Sequence, residues 1–177
     1  LSSLVVKEND HDLFVFPLPV LDKNYLPKIF GFPRKIYSFK TLEKKYNNDL
    51  YPFTHLFNGA LISTRAIRKI GNVNKDFFLM GDEVDYFFRL REVGVVCSLK
   101  KAIHYHPDVS KRKFNSVKIY YYIKNSIILN SRYFNFPYFR HCMIIIAIIV
   151  RVASRNGILY AASLLFGLKS KIFYAAL

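Results

Sequence analysis

The chain has 177 residues, a mass of 20.8 kDa and a formal net charge of +15, from 27 Lys and Arg against 12 Asp and Glu. With 52% hydrophobic and 17% aromatic residues and only 7 Gly and 7 Pro, it is a folded protein of about one domain, not a disordered, collagen-like or low-complexity chain. Cys97 and Cys142 have no repeating spacing, so neither a disulfide framework nor a thiolate metal cluster is available, and a reducing compartment is the default. Residue 1 is Leu and no signal-peptide pattern follows it, so the chain reads as a partial or processed sequence.

In chain order, Leu4 to Val6 and Leu13 to Phe16 read as short strands, and Pro17, Pro19, Pro27 and Pro33 punctuate an extended region to about Ser38. Asp10-His11-Asp12 reads as a turn, because Asp bonds its own backbone readily. A short helix is predicted over 64–70, with Ser63 or Thr64 as N-cap, Ala66, Ile67 and Ile70 on one face, and Gly71 as its stop. A second helix is predicted over 82–93, with Val84, Phe87, Phe88 and Leu90 on its apolar face, Asp85 and Arg89 as an i,i+4 surface pair, and Gly94 at its end. Strand 95–99 and an extended segment 102–106 follow, the latter putting His104 and His106 on one side. Residues 114–134 read as helical.

Charge divides the chain. All twelve acidic residues lie at or before Asp108, whereas 109–177 hold eleven Lys or Arg and no carboxylate, so the two parts carry +4 and +11. Such one-sided charge faces lipid phosphates or a nucleic-acid backbone. The basic part also holds two apolar runs, 143–150 and 157–168, of eight and twelve residues. At about 1.5 Å per residue neither run alone crosses a hydrocarbon core of roughly 30 Å. One reading is a helix lying in the headgroup region, with Arg151, Arg155, Lys169 and Lys171 toward phosphates; the other is a buried core helix with solvated basic flanks.

The most informative stretch is Met80-Gly81-Asp82-Glu83-Val84-Asp85, three carboxylates in four residues at a helix start. A helix N-terminus favours negative charge, which suits a base or a metal ligand; the same acids also serve as ordinary first-turn residues. Around it stand Phe57-Asn58-Gly59-Ala60-Leu61-Ile62-Ser63, Ile67-Arg68-Lys69-Ile70-Gly71, Phe77-Phe78, Arg89, Gly94, Ala102-Ile103-His104-Tyr105-His106 and Tyr121-Tyr122-Ile123-Lys124-Asn125. This ordered series resembles the C-terminal half of the catalytic domain of family 2 glycosyltransferases, most nearly the rhamnosyl- and galactofuranosyltransferases of bacterial surface polysaccharide biosynthesis.

The resemblance implies an α/β chain: residues 1–108 as the acceptor-side part of a GT-A (nucleotide-diphospho-sugar transferase) fold, and 109–177 as basic, apolar, membrane-associated helices. It implies an inverting transfer from a nucleotide-sugar donor to a lipid-linked or polysaccharide acceptor, on the cytoplasmic face of the cell membrane. The family's general base is usually the second acid of a pair, an Asp. Here that place holds Glu83, with Asp82 before it, so the base is Glu83 or Asp82. Gly59, Ala60, Asp85 and Arg89 are the substrate-side candidates. Small residues at 59 and 60 would let a substrate approach the backbone, or let a strand pack closely on its neighbour. His106 is the expected ligand of a divalent metal, Mn²⁺ or Mg²⁺, with His104 as its competitor. The family's metal-binding Asp-x-Asp and nucleotide-binding half are expected upstream of Leu1. The rival readings are a non-catalytic nucleic-acid-binding module, using Lys111-Arg112-Lys113 and Tyr120 to Tyr122, and a membrane-associated protein without chemistry. Nucleic acid is the disfavoured partner, because the acidic helix start and the apolar runs have no use on a phosphate backbone.

Overall fold

The computed structural model describes residues 1–109, 112–113 and 115–162. They divide into two compact units, one of residues 1–77 with 81–109, the other of 78–80 with the described residues from 112 onward.

The first unit is built on a mixed five-stranded sheet of order β3-β2-β1-β5-β4. Its strands are β1 (Ser2–Lys7), β2 (Asp10–Pro19), β3 (Lys35–Ser38), β4 (Leu50–Tyr51) and β5 (Ser98–His106). β1 and β5 run parallel, with Val5 opposite His104 and Lys7 opposite His106, and the other pairings are antiparallel. The consecutive run Leu4-Val5-Val6 is buried on both faces of β1, as a continuous apolar strand requires, and Phe14, Leu18 and Ile36 extend the core on β2 and β3. Tyr51 is fully buried and donates its hydroxyl to the Pro19 carbonyl, and burial pushes that hydroxyl's pKa well up.

Helix α1 (Phe39–Lys45) follows β3, in a stretch whose sequence predicts no element. Ser38 caps it, its hydroxyl accepting from Thr41 N at 3.2 Å, and Leu42 is its one fully buried side chain. Asp12 adds a second acceptor, its Oδ1 3.0 Å from Lys40 N. The Asp-x-Asp therefore serves the fold: the turn occupies Glu8 and Asn9, Asp10 accepts from Asp12 N, and Asp12 lies within β2 and holds the start of α1.

Helix α2 (Thr64–Ile70) has the expected ends, Ser63 and Gly71, although Ser63 makes no side-chain cap bond and no residue of α2 is fully buried. Helix α3 (Asp82–Arg91) starts as expected and stops two residues early, with Gly94 N bonded to Leu90 O. Two expectations are corrected. Asp85 and Arg89 pair at 3.5 Å but not on the surface, since Asp85 is fully buried. The two predicted extended segments are one strand, beginning at Ser98 because its hydroxyl is drawn inward onto Phe53 O at 2.8 Å, while Val95 stays out in solvent.

The second unit is a helical hairpin of α4 (Ser116–Tyr133) and α5 (Pro137–Asn156). Asn115 caps α4 through Lys118 N at 2.8 Å, and Pro137 opens α5 where its missing N–H costs nothing. Ile119, Ile148, Val152 and Ala161 form a small core, flanked by Tyr122, Ile123 and Ile144. The first apolar run is thus part of a helix of 20 residues, long and apolar enough by length and composition to cross a membrane, which the eight-residue run by itself was not. Residues 158–162 continue as helix beyond Gly157; the rest of the second run, with Lys169 and Lys171, lies outside the described residues.

Candidate active site

The acids at the start of α3 take their positions from the turn before them. Gly81 adopts φ +92, a left-handed conformation that suits glycine, and its carbonyl accepts from Asp85 N at 3.0 Å. Gly81 contributes no side-chain cap, and Asp82, Glu83 and Asp85 put negative charge on the first turn, where the helix N-terminus favours it. Asp82 and Glu83 are both half-buried.

Of the three acids, Asp85 turns inward. Its carboxylate faces Arg89, and Arg89 donates to Asn72 O at 3.0 Å and to Ile70 O. Tyr86 adds a hydroxyl bond to Gly71 O at 3.3 Å, with the Arg89 guanidinium over its ring. Asp85 and Arg89 thereby tie the end of α2 to α3, which is a task for the fold.

Glu83 turns toward a residue the sequence reading missed. His55 Nδ1 lies 3.8 Å from Glu83 Oε1, too far for a hydrogen bond and near enough for an electrostatic couple. His55 Nε2 is buried without a partner among the described residues. A buried N–H left unmet costs more than a buried lone pair in a ring whose other nitrogen faces a carboxylate, so the neutral ring carries its proton on Nδ1, toward Glu83. Phe53 fixes the imidazole from below, with ring centroids 5.3 Å from His55 and 5.1 Å from Phe87 in α3. No local pattern marks His55, because Glu83 lies 28 positions away and the pair exists only in the fold.

From His55 the site extends to the C-terminal end of β5. The Phe16 ring stands 5.5 Å from His55 and 5.7 Å from His106, and His104 and His106 share a side of the strand as expected, 6.1 Å apart. His106 Nδ1 is 2.7 Å from Pro107 O, a carbonyl that only accepts, so in the neutral ring this nitrogen holds the proton and Nε2 keeps its lone pair. That is the arrangement of a histidine ready to ligate a metal. Among the described residues, however, no three His, Cys, Asp or Glu side chains gather into a metal cluster, so His106 offers one ligand and not a set.

Gly59 and Ala60 run beside the start of β1. Ser3 N bonds Gly59 O at 3.0 Å, and Ala60 bridges Ser2. Gly59 has φ +92, and a Cβ there would stand 2.8 Å from Ser3 Oγ and 3.9 Å from His104 Nδ1. The positive φ favours glycine here, a Cβ would have to displace the Ser3 hydroxyl, and Gly59 is exposed next to His104.

Taken together, Glu83, His55, Phe16, His106, His104 and Gly59 form a connected series from the start of α3 to the end of β5. An ionised carboxylate with an imidazole behind it can accept a proton from a bound hydroxyl. Comparison of the chain with family models, with curated proteins and with solved structures finds no match.

Proposed function

We propose that the chain carries the acceptor-side part of an inverting family 2 glycosyltransferase of GT-A fold. The observation that carries this reading is the half-buried Glu83 carboxylate on the first turn of α3, backed at 3.8 Å by His55. Glu83 takes the proton of an acceptor hydroxyl as its oxygen attacks the anomeric carbon of a nucleotide-sugar. The bond from that carbon to the diphosphate breaks, and the leaving nucleoside diphosphate keeps the electron pair. His55 stands beside the carboxylate at 3.8 Å, and Asp82 is the neighbouring acid that tests the assignment. Gly59 leaves room for substrate beside His104. A divalent ion, Mn²⁺ or Mg²⁺, supplies charge neutralisation for the diphosphate when bound, with His106 as a ligand from this chain. The acceptor is a lipid-linked or polysaccharide glycan at the cytoplasmic membrane face, within cell-envelope polysaccharide biosynthesis.

The test uses the complete reading frame in a membrane fraction, supplied with nucleotide-activated rhamnose or galactofuranose. Glu83→Gln should lower kcat by about 10²- to 10⁴-fold with KM little changed, and Asp82→Asn by much less. Undiminished transfer by the combined Glu83→Gln, Asp82→Asn, His106→Ala variant refutes the site.

A further inference from the structure

We infer that the outward face of α5 is a membrane seat, on which the helix lies in the plane of one leaflet of an anionic bilayer. The inference stands on the second unit alone and does not depend on sugar transfer.

The helix is apolar on two sides. Ile144, Ile148 and Val152 turn toward the small core shared with α4. Phe139, Cys142, Ile146 and Val150, at steps of three and four residues, with Ile145 beside them, form a second stripe that solvent reaches, with Ile146 55% and Val150 62% exposed. Ile158 and Leu159, just past Gly157, are 78% and 88% exposed. A soluble hairpin turns a polar face outward, and a helix with a second apolar side needs a second apolar partner, which for a basic unit is lipid. Contiguous apolar surface of this kind marks an interaction site.

Charge selects the occupant. From 109 to 177 the sequence has eleven Lys or Arg and no carboxylate, so an anionic surface is attracted, and a second copy of this +15 chain is repelled. The stripe itself disfavours a nucleic-acid backbone, which offers apolar side chains nothing. The charge-free interval between Arg140 and Arg151 fixes the orientation. It holds ten residues, about 15 Å of helix, half of a hydrocarbon core of roughly 30 Å. At about 100° per residue Arg140 and Arg151 fall on the flank of α5 next to its α4-facing side, and Arg155 behind it, where it donates to Arg112 O at 3.1 Å, so no charge interrupts the stripe.

The whole chain is mixed with vesicles of phosphatidylethanolamine and phosphatidylglycerol, at low and high salt, and sedimented. The stripe variant Ile146→Glu with Val150→Glu should lose partitioning by about tenfold or more, with its helical circular dichroism retained because both positions are exposed. The matched control Val117→Glu with Tyr120→Glu, also exposed but on α4, changes charge equally and should retain most of the binding, part of which should survive high salt. A fluorophore on Ile146→Cys in a Cys142→Ser background should be quenched most by lipids labelled near the headgroup. Equal loss in both variants, or release of all protein by salt, overturns the seat in favour of plain charge attraction. Strongest quenching by labels at the chain ends overturns the in-plane orientation. A lipid-free dimer that the stripe variant dissolves, or binding to duplex DNA with none to vesicles, overturns the choice of occupant.

Discussion

The two units solve the same problem, burial of apolar side chains, to different degrees. In the sheet unit Leu4, Val5, Val6, Ile36, Leu42 and Phe87 are each at most 4% exposed and make an extended core, with single apolar side chains such as Phe32, Leu61 and Val95 left outside it. In the helical unit the described residues give a small core around Ile119, Ile148, Val152 and Ala161, and much of α5 remains outside it. Charge follows the same division: the carboxylates, and the candidate site built on one of them, belong to the sheet unit, while the sequence from 109 onward has none. A unit with acids of its own can do proton chemistry; a unit with only cations and unspent apolar surface is suited to a surface that is both anionic and apolar.

The sharpest way to break this comparison is Glu83→Gln. It should abolish nearly all sugar transfer, by about 10²- to 10⁴-fold, while leaving vesicle binding unchanged. A variant that loses both places the two activities in one region and removes the distinction drawn between the units.

Next in size are the cores. Phe87→Ala removes a ring packed against Phe53 and Phe88, and should cost about 4 kcal/mol in urea unfolding. Ile148→Ala should cost nearer to about 2 kcal/mol, because a small core relaxes into the space more easily. Equal losses would mean that the hairpin core is as tightly packed as the sheet core.

Asn125 gives a smaller and more local effect. Almost wholly buried, it donates through Nδ2 to the carbonyls of Phe78 and Met80, and Tyr121 packs on the Phe78 ring at 4.9 Å. The Tyr-Tyr-x-x-Asn series thus fastens the short stretch that precedes α3 in the chain. Asn125→Ala should cost about 1–3 kcal/mol, and hydrogen exchange at 78–80 should rise more than in α5.

The smallest effect concerns the exposed pair Lys101 to Asp49, 2.8 Å apart between β5 and the residue before β4. The Lys101 ammonium holds the Asp49 carboxyl below its ordinary value, and Asp49 in turn raises Lys101. A depressed carboxyl stabilises the fold above its unfolded pKa and loses that contribution as pH falls through the folded value. A raised ammonium stabilises below its unfolded pKa and loses its contribution as pH rises through the folded one. The pair's contribution is therefore flat through neutral pH and fades at both limbs. Asp49→Asn should remove the fading with only a slight change in thermal midpoint at neutral pH, as solvent screening of an exposed pair requires.

The local sequence was sufficient for elements whose signals are local. α2 and α3 begin and end close to where Ser63, Gly71, the acids from Asp82 and Gly94 put them, because helix ends are decided by a few adjacent residues. The side shared by His104 and His106 followed from strand periodicity alone. α1 escaped notice because Ser38 closes a Pro-punctuated stretch and the helix buries only Leu42, so it lacks an apolar periodicity.

What the tertiary structure alone decided are the pairings between distant residues. It sent Asp85 inward to Arg89, set Glu83 beside His55, and gave Asp12 to α1. A sequence states which carboxylates exist and where charge accumulates, and both were legible here from the composition on either side of Asp108. Which carboxylate stays accessible depends on the side chains packed around it, and those come from strands and helices far apart in the chain.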